Sequence, residues 1–174
     1  MNFDQLIYPL TEFVTENGFS VTKKEQHFVA YSSSSSVVTV AYVLLERLFY
    51  THVGQNEDSL VELTPLVVNE VFSDDRYRLQ STLTIQDLIS FFETTGKSII
   101  SGDNEVFRRI TAFSEQQSAA YTKRIIELQL VKAADYAWTR KDYAGFITKI
   151  DQIDKAQLSE SYLKKYQIAV NKLK

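Results

Sequence analysis

The chain has 174 residues, 44% apolar and 24% charged, with a net charge of −3; it is long enough for a domain with a sizeable core and far from the composition of a disordered chain. It contains no cysteine, which excludes disulfides, thiolate metal sites and cysteine nucleophiles and fits a reducing compartment. MNFDQLIYPL lacks the basic region and apolar run of a signal peptide, and the longest apolar run, VAYVLL at 40–45, has a strand's length and not a membrane span's; a soluble, cytoplasmic protein is expected.

Phe3, Leu6, Ile7, Leu10, Phe13 and Val14 recur at helical spacing, and Asn17-Gly18 supplies a left-handed stop. Pro9 lacks a backbone donor, so this helix is expected to kink or to begin later than the stripe. Residues 19–22, 26–31, 37–43 and 48–53 are rich in Val, Tyr, Phe and Thr and too short for helices. Between the second and third of these lies SSSSS at 32–36. A linker would be flanked by polar sequence, and a phosphate nest would contain glycine. A hairpin tip needs only small polar residues, so Ser33–Ser35 reads as a turn. A second turn falls near Leu45-Glu46-Arg47, and GQNEDSL at 54–60 is a polar loop. The pattern predicts an antiparallel meander of three or four strands, with 37–43 central and helices on one face.

Thr64-Pro65 opens a short helix through about Phe72, and Ser73-Asp74-Asp75 ends it. Thr84 and Asp87 form a capping-box pattern ahead of Leu88, Ile89, Phe91 and Phe92, with a stop near Thr95-Gly96 and a short turn through Ile100. From Asp103 the chain reads as helix almost to its end. Val106, Phe107, Ile110 and Phe113 form one stripe; after a break near 114–118, Tyr121, Ile125, Leu128 and Val131 form another. If helix 118–139 packs on the core, a charge at Leu128 is severely destabilising. Asp142 caps a helix carrying Tyr143, Phe146, Ile147 and Ile150, and Ser159 caps the last one. The expected fold class is α+β, a single compact unit over 1–174. Its helix-plus-sheet part spans 1–62, and its mostly helical part, 63–174, ends in a hairpin.

The charge is uneven. Residues 1–103 hold fourteen acids and six bases, a net of −8, and residues 104–174 hold eight acids and thirteen bases, a net of +5. The basic pairs Arg108-Arg109, Lys123-Arg124, Arg140-Lys141 and Lys164-Lys165 are interleaved with acids, so solvated helix faces are expected and nucleic acid is not. GKS at 96–98 resembles the end of a phosphate loop, but Phe91 stands where that loop needs glycine. His27 and His52 fall on expected strands without a third ligand at metal-binding spacing. The acidic pairs Glu57-Asp58 and Asp74-Asp75 lack the Asp/Asn-and-Gly pattern of a calcium loop. They are the candidate partner-binding residues. No catalytic residue, metal or cofactor is expected.

ADYAWTRKDYAGFITKI at 134–150 resembles the helix–turn–helix of tetratricopeptide-type repeats, in which small residues such as Ala134 and Ala137 let helices approach. The resemblance, extended through residue 174, implies one helical hairpin. The helix ending in NGF at 17–19, the strands around AYSSSSSVVTV and the helices that follow resemble small bacterial α+β proteins of immunity-protein type. The uneven charge favours oriented contact with a charged protein partner, so a non-enzymatic protein-binding module is expected; the resemblance implies the narrower reading, an inhibitor whose acidic N-terminal half covers a basic toxin. A structural homo-oligomer and an enzyme with an unrecognised site are the alternatives.

Overall fold

The computed structural model describes residues 2–73 and 84–174. The chain forms two compact units, Met1–Glu115 and Gln116–Lys174. The boundary falls within a helix; the change of period at 62/63 is a change of element type inside the first unit.

The first unit opens with α1 (Phe3–Glu16), whose buried face is Phe3, Ile7, Leu10 and Val14. Each such burial contributes roughly 1.5–3 kcal/mol. Pro9 sits inside this helix, which neither starts late nor stops there. Proline's missing donor leaves a carbonyl one turn back without its usual bond; Pro9 and Gln5 are both solvent-exposed, so water can take that place. Gly18 adopts φ +88°, and the Phe19 amide donates to the Val14 carbonyl at 3.0 Å, anchoring buried Phe19 below the helix end.

A five-stranded antiparallel sheet follows in the order β1-β2-β3-β4-β5. Its strands are β1 (Ser20–Glu25), β2 (Phe28–Ser32), β3 (Val37–Val43), β4 (Leu48–Gly54) and a two-residue β5 (Val61–Glu62). β3 is central, as its apolar run implies. β1 continues through Lys23-Lys24-Glu25 with a bulge after Val21, longer than its apolar residues suggest. It is a wholly exposed edge strand, where charged residues are favoured because they discourage further strand pairing.

The serine run is a hairpin tip. Ser32 pairs with Val37, the Ser33 amide donates to the Ser36 carbonyl at 2.9 Å, and the Ser36 amide donates to the Ser33 hydroxyl at 3.1 Å. Ser33 thus closes the turn twice, by backbone and by side chain.

Alternation divides the sheet. Val29, Val40 and Thr51 form one cross-strand row, and Tyr31, Val38 and Val53 another, on the same face. The five apolar members of these rows join α1 and the buried side chains of α2 (Pro65–Phe72) and α3 (Ile85–Glu93) in one core. Ile99 and Ile100 of α4 (Lys97–Ile100) complete it with Val106, Phe107 and Ile110. Thr64 caps α2 through the Val67 amide, and Thr84 caps α3 through the Asp87 amide.

α5 (Asn104–Thr139) is one continuous helix of 36 residues. The expected break at 114–118 is absent, because Ser-Glu-Gln-Gln-Ser contains neither Gly nor Pro and interrupts only the apolar stripe, not the backbone ladder. The second unit comprises the rest of α5, α6 (Tyr143–Ile150) and α7 (Glu160–Lys172). Its core is small: Ala134, Ala137, Phe146, Ile150, Ile153 and Ala169.

Candidate protein-interaction surface

The second unit is built around the α5–α6 corner. Lys141 turns the chain with φ +61°. The Asp142 carboxylate accepts from the Gly145 amide at 2.9 Å, capping α6. Ala134 and Ala137 are buried and leave room for Phe146, whose ring lies 5.1 Å from that of Trp138. α7 is tied on by polar contacts. The Tyr162 hydroxyl donates to Asp135 at 2.6 Å, Lys165 donates to the same carboxylate at 3.3 Å, and the Tyr166 hydroxyl donates to Asp151 at 2.7 Å. Desolvation, then the Asp135 hydrogen bond, pushes the Tyr162 hydroxyl up to about 12. The Tyr166 hydrogen bond, then that of Lys155, holds Asp151 below the usual carboxylate range.

α6 uses the side of α5 that carries Ala134 and Ala137, while α7 reaches Asp135, one heptad beyond Leu128. Tyr121, Ile125 and Leu128 lie about 120–180° around the helix from Leu130, Ala134 and Ala137, at about 100° per residue. Tyr121 is 66% exposed and Leu128 50%, whereas Ile125 is half-buried. Of the expected stripe, Val131 does pack against the second unit's core, whereas Tyr121 and Leu128 stand exposed. The stripe's flank and continuation are basic: Arg124 follows Tyr121 by three positions, and Lys132 follows Leu128 by four. The sole acid between Gln116 and Ala134 is Glu127, which faces Lys123 at 3.8 Å and lies off the stripe. On the opposite side, in line with Leu130, Ala134 and Ala137, Ala119, Lys123, Ile126 and Gln152 line a shallow groove of about 520 Å³.

The acidic candidates lie in the first unit's sequence. Glu57 and Asp58 are exposed in a single 3-10 turn, Glu57–Ser59, whose Asp58 amide donates to the Asn56 side chain at 3.1 Å. Asp74 and Asp75 lie outside the described residues.

The histidines do not meet. His27 is in the β1–β2 turn, not on a strand; its carbonyl accepts from the Tyr42 amide at 2.9 Å. His52 is on β4 between Thr39 and Glu62, two strands and three residues away, roughly 10 Å in each direction. His27 Nδ1 is buried without a hydrogen-bond partner, and its ring packs edge-on against Phe3 at 6.1 Å. Among the described residues no group of three or more His, Asp or Glu is placed to hold a metal ion.

Gly96 of the GKS triplet follows the end of α3 and is the N-cap residue of the four-residue α4; a Cβ there would run into the Phe91 ring. That glycine serves close packing on Phe91. The basic pairs are divided by local contacts: Arg108 pairs with Glu105, Arg109 donates to the Val71 carbonyl, and Lys164 pairs with Glu160 at 2.7 Å. Arg124 and Lys132 have no such partner among the described residues. Sequence reasoning named Arg124 only as half of a solvated basic pair and did not name Lys132; the signal was their spacing from Tyr121 and Leu128.

The architecture is that of an α+β protein, an N-terminal helix and antiparallel sheet followed by a mostly helical half. No described helix is long and apolar enough to cross a membrane. No protein-family model matches the chain, and no curated protein or solved structure is detectably similar to it.

Proposed function

We propose that this chain is a protein-binding module. The observation that carries the reading is the outward stripe on α5, where Tyr121 and Leu128 stand 66% and 50% exposed at the spacing of a helix–helix seam. Contiguous exposed apolar surface is costly unless a partner covers it, and aromatic and aliphatic anchors of this kind form the centres of protein interfaces.

A second, narrower reading is inhibition of a basic partner, such as a toxin, by the acidic first unit. Residues 1–115 hold sixteen acids and eight bases, a net of −8, and Glu57 and Asp58 project from an exposed turn. A surface of one sign steers and retains a partner of the other.

The test is affinity capture by the full chain from the native host's lysate, followed by reconstitution of the captured protein and this chain from pure components. A complex of fixed stoichiometry in light scattering is the expected result. Failure of every captured protein to re-form a complex in pure solution would refute the reading.

A further inference from the structure

We propose that the outward face of α5 docks an acidic amphipathic helix of a partner protein; this rests on the protein-binding reading above and specifies its surface and its ligand chemistry. Ser118, Tyr121, Ile125, Leu128 and Lys132 are spaced by three, four, three and four residues, the seam along which a second helix lies. From 118 to 132 the seam runs about 21 Å at 1.5 Å per residue, so the occupant needs about four helical turns. Ser118 is small and admits a large side chain at one end. Tyr121, Ile125 and Leu128 give the apolar centre, and Lys132 closes the other end.

Charge selects the occupant. Arg124 and Lys132 border the apolar centre without ion-pair partners among the described residues, while the neighbouring Lys123 faces Glu127. Asp135, the next acid along α5, is already engaged by Tyr162 and Lys165. The seam therefore presents cations with no free acid beside them. A helix with Leu or Ile inward and Glu or Asp at its flanks satisfies both features. A second copy of this chain is disfavoured: pairing α5 with α5 would bring together two units that each hold eleven bases and six acids in residues 116–174, a repulsion of +5 against +5.

The experiment measures fluorescence anisotropy of two labelled 21-residue amphipathic peptides with the same Leu/Ile seam, one flanked by Glu and the other by Lys, titrated with the full chain at low and high salt. The Glu peptide is expected to bind, more weakly at high salt, and at least tenfold more tightly than the Lys peptide. Leu128→Asp is expected to weaken it at least tenfold. The double substitution Arg124→Glu/Lys132→Glu should invert the preference between peptides, a change that loss of folding cannot mimic. Equal binding of the two peptides, or Glu-peptide binding unaffected by both variants, would overturn the proposal. So would a wild-type dimer in sedimentation that Leu128→Asp converts to monomer, because the seam would then belong to a second copy. The same variants separate this inference from the reading beneath it. A reconstituted partner held equally by wild type and both variants removes the α5 surface and leaves protein binding standing, whereas failure of wild type to reconstitute any complex removes the reading itself.

Discussion

Phe146→Ala should remove a third or more of the stability of the second unit. Phe146 is fully buried, with 0% exposure, and the other buried members of its core are three alanines and two isoleucines. Alanines cannot swing into a void, so the site collapses poorly, and a Phe→Ala change at such a place costs about 3–5 kcal/mol. The unit spans residues 116–174, and a domain of about sixty residues holds roughly 3–9 kcal/mol in total. The substitution therefore removes a third of that stability at the least. Trp138 is the chain's one tryptophan and packs on the Phe146 ring, so its emission reports this unit alone. With a urea slope of about 1 kcal/mol per molar for so small a unit, the Trp138 midpoint should fall by about 3 M or more. A fall of less than about 1 M would refute the reasoning, since it would mean that Trp138 and Tyr143 close the void or that the ring is not the centre of this core.

Leu128→Asp, on the outward face of α5, should shift the same midpoint by no more than about 0.5 kcal/mol; a loss above about 2 kcal/mol would show that the face is covered within the chain. Gly102→Ala should cost about 1–3 kcal/mol in a far-UV circular dichroism melt, because Gly102 holds φ +74° and a Cβ there would collide with the Ser35 side chain. Adding Ser35→Gly should recover only part of that loss, since it relieves the collision and not the backbone; full recovery would remove backbone strain from the account. Asp142→Ala deletes the α6 cap on the Gly145 amide and should lower the Trp138 transition by about 1 kcal/mol. Tyr162 should ionise late in an ultraviolet titration, at about pH 12, and Tyr162→Phe should delete that step. Because its folded value lies above the ordinary 10.0, its contribution to stability is fully present below pH 10 and is lost as pH rises to about 12.

Much of this fold was legible because its punctuation is local. Asn17-Gly18, Thr64-Pro65, Thr84 with Asp87, and Asp142 each mark a helix end by a backbone bond made within three or four residues, and the structure places all of them as caps or stops. The serine hairpin was legible for the same reason. What the sequence could not convey was long-range. Lys23-Lys24-Glu25 belongs to β1 because β2 offers it a ladder, not because lysine favours strands, and extending that strand moved His27 into the turn. The boundary at 115/116 has no composition signal, since it falls inside a helix that continues unbroken.

The α5 stripe separates two kinds of information. Periodicity established that Tyr121, Ile125 and Leu128 share a face, and they do. It could not establish what lies against that face, because an apolar stripe reads the same whether its partner is the chain's own core or another molecule. Within the second unit the deciding residues are the small ones: Ala134 and Ala137 let α6 approach from the opposite side and so turn Tyr121 and Leu128 outward. Composition then adds what periodicity lacks. A stripe meant for the chain's own interior has no use for Arg124 and Lys132 at its border, where two unpaired cations would have to be desolvated. On the reading proposed above, the same two cations at the edge of an intermolecular seam would cost little in the free protein and would select an acidic partner on encounter.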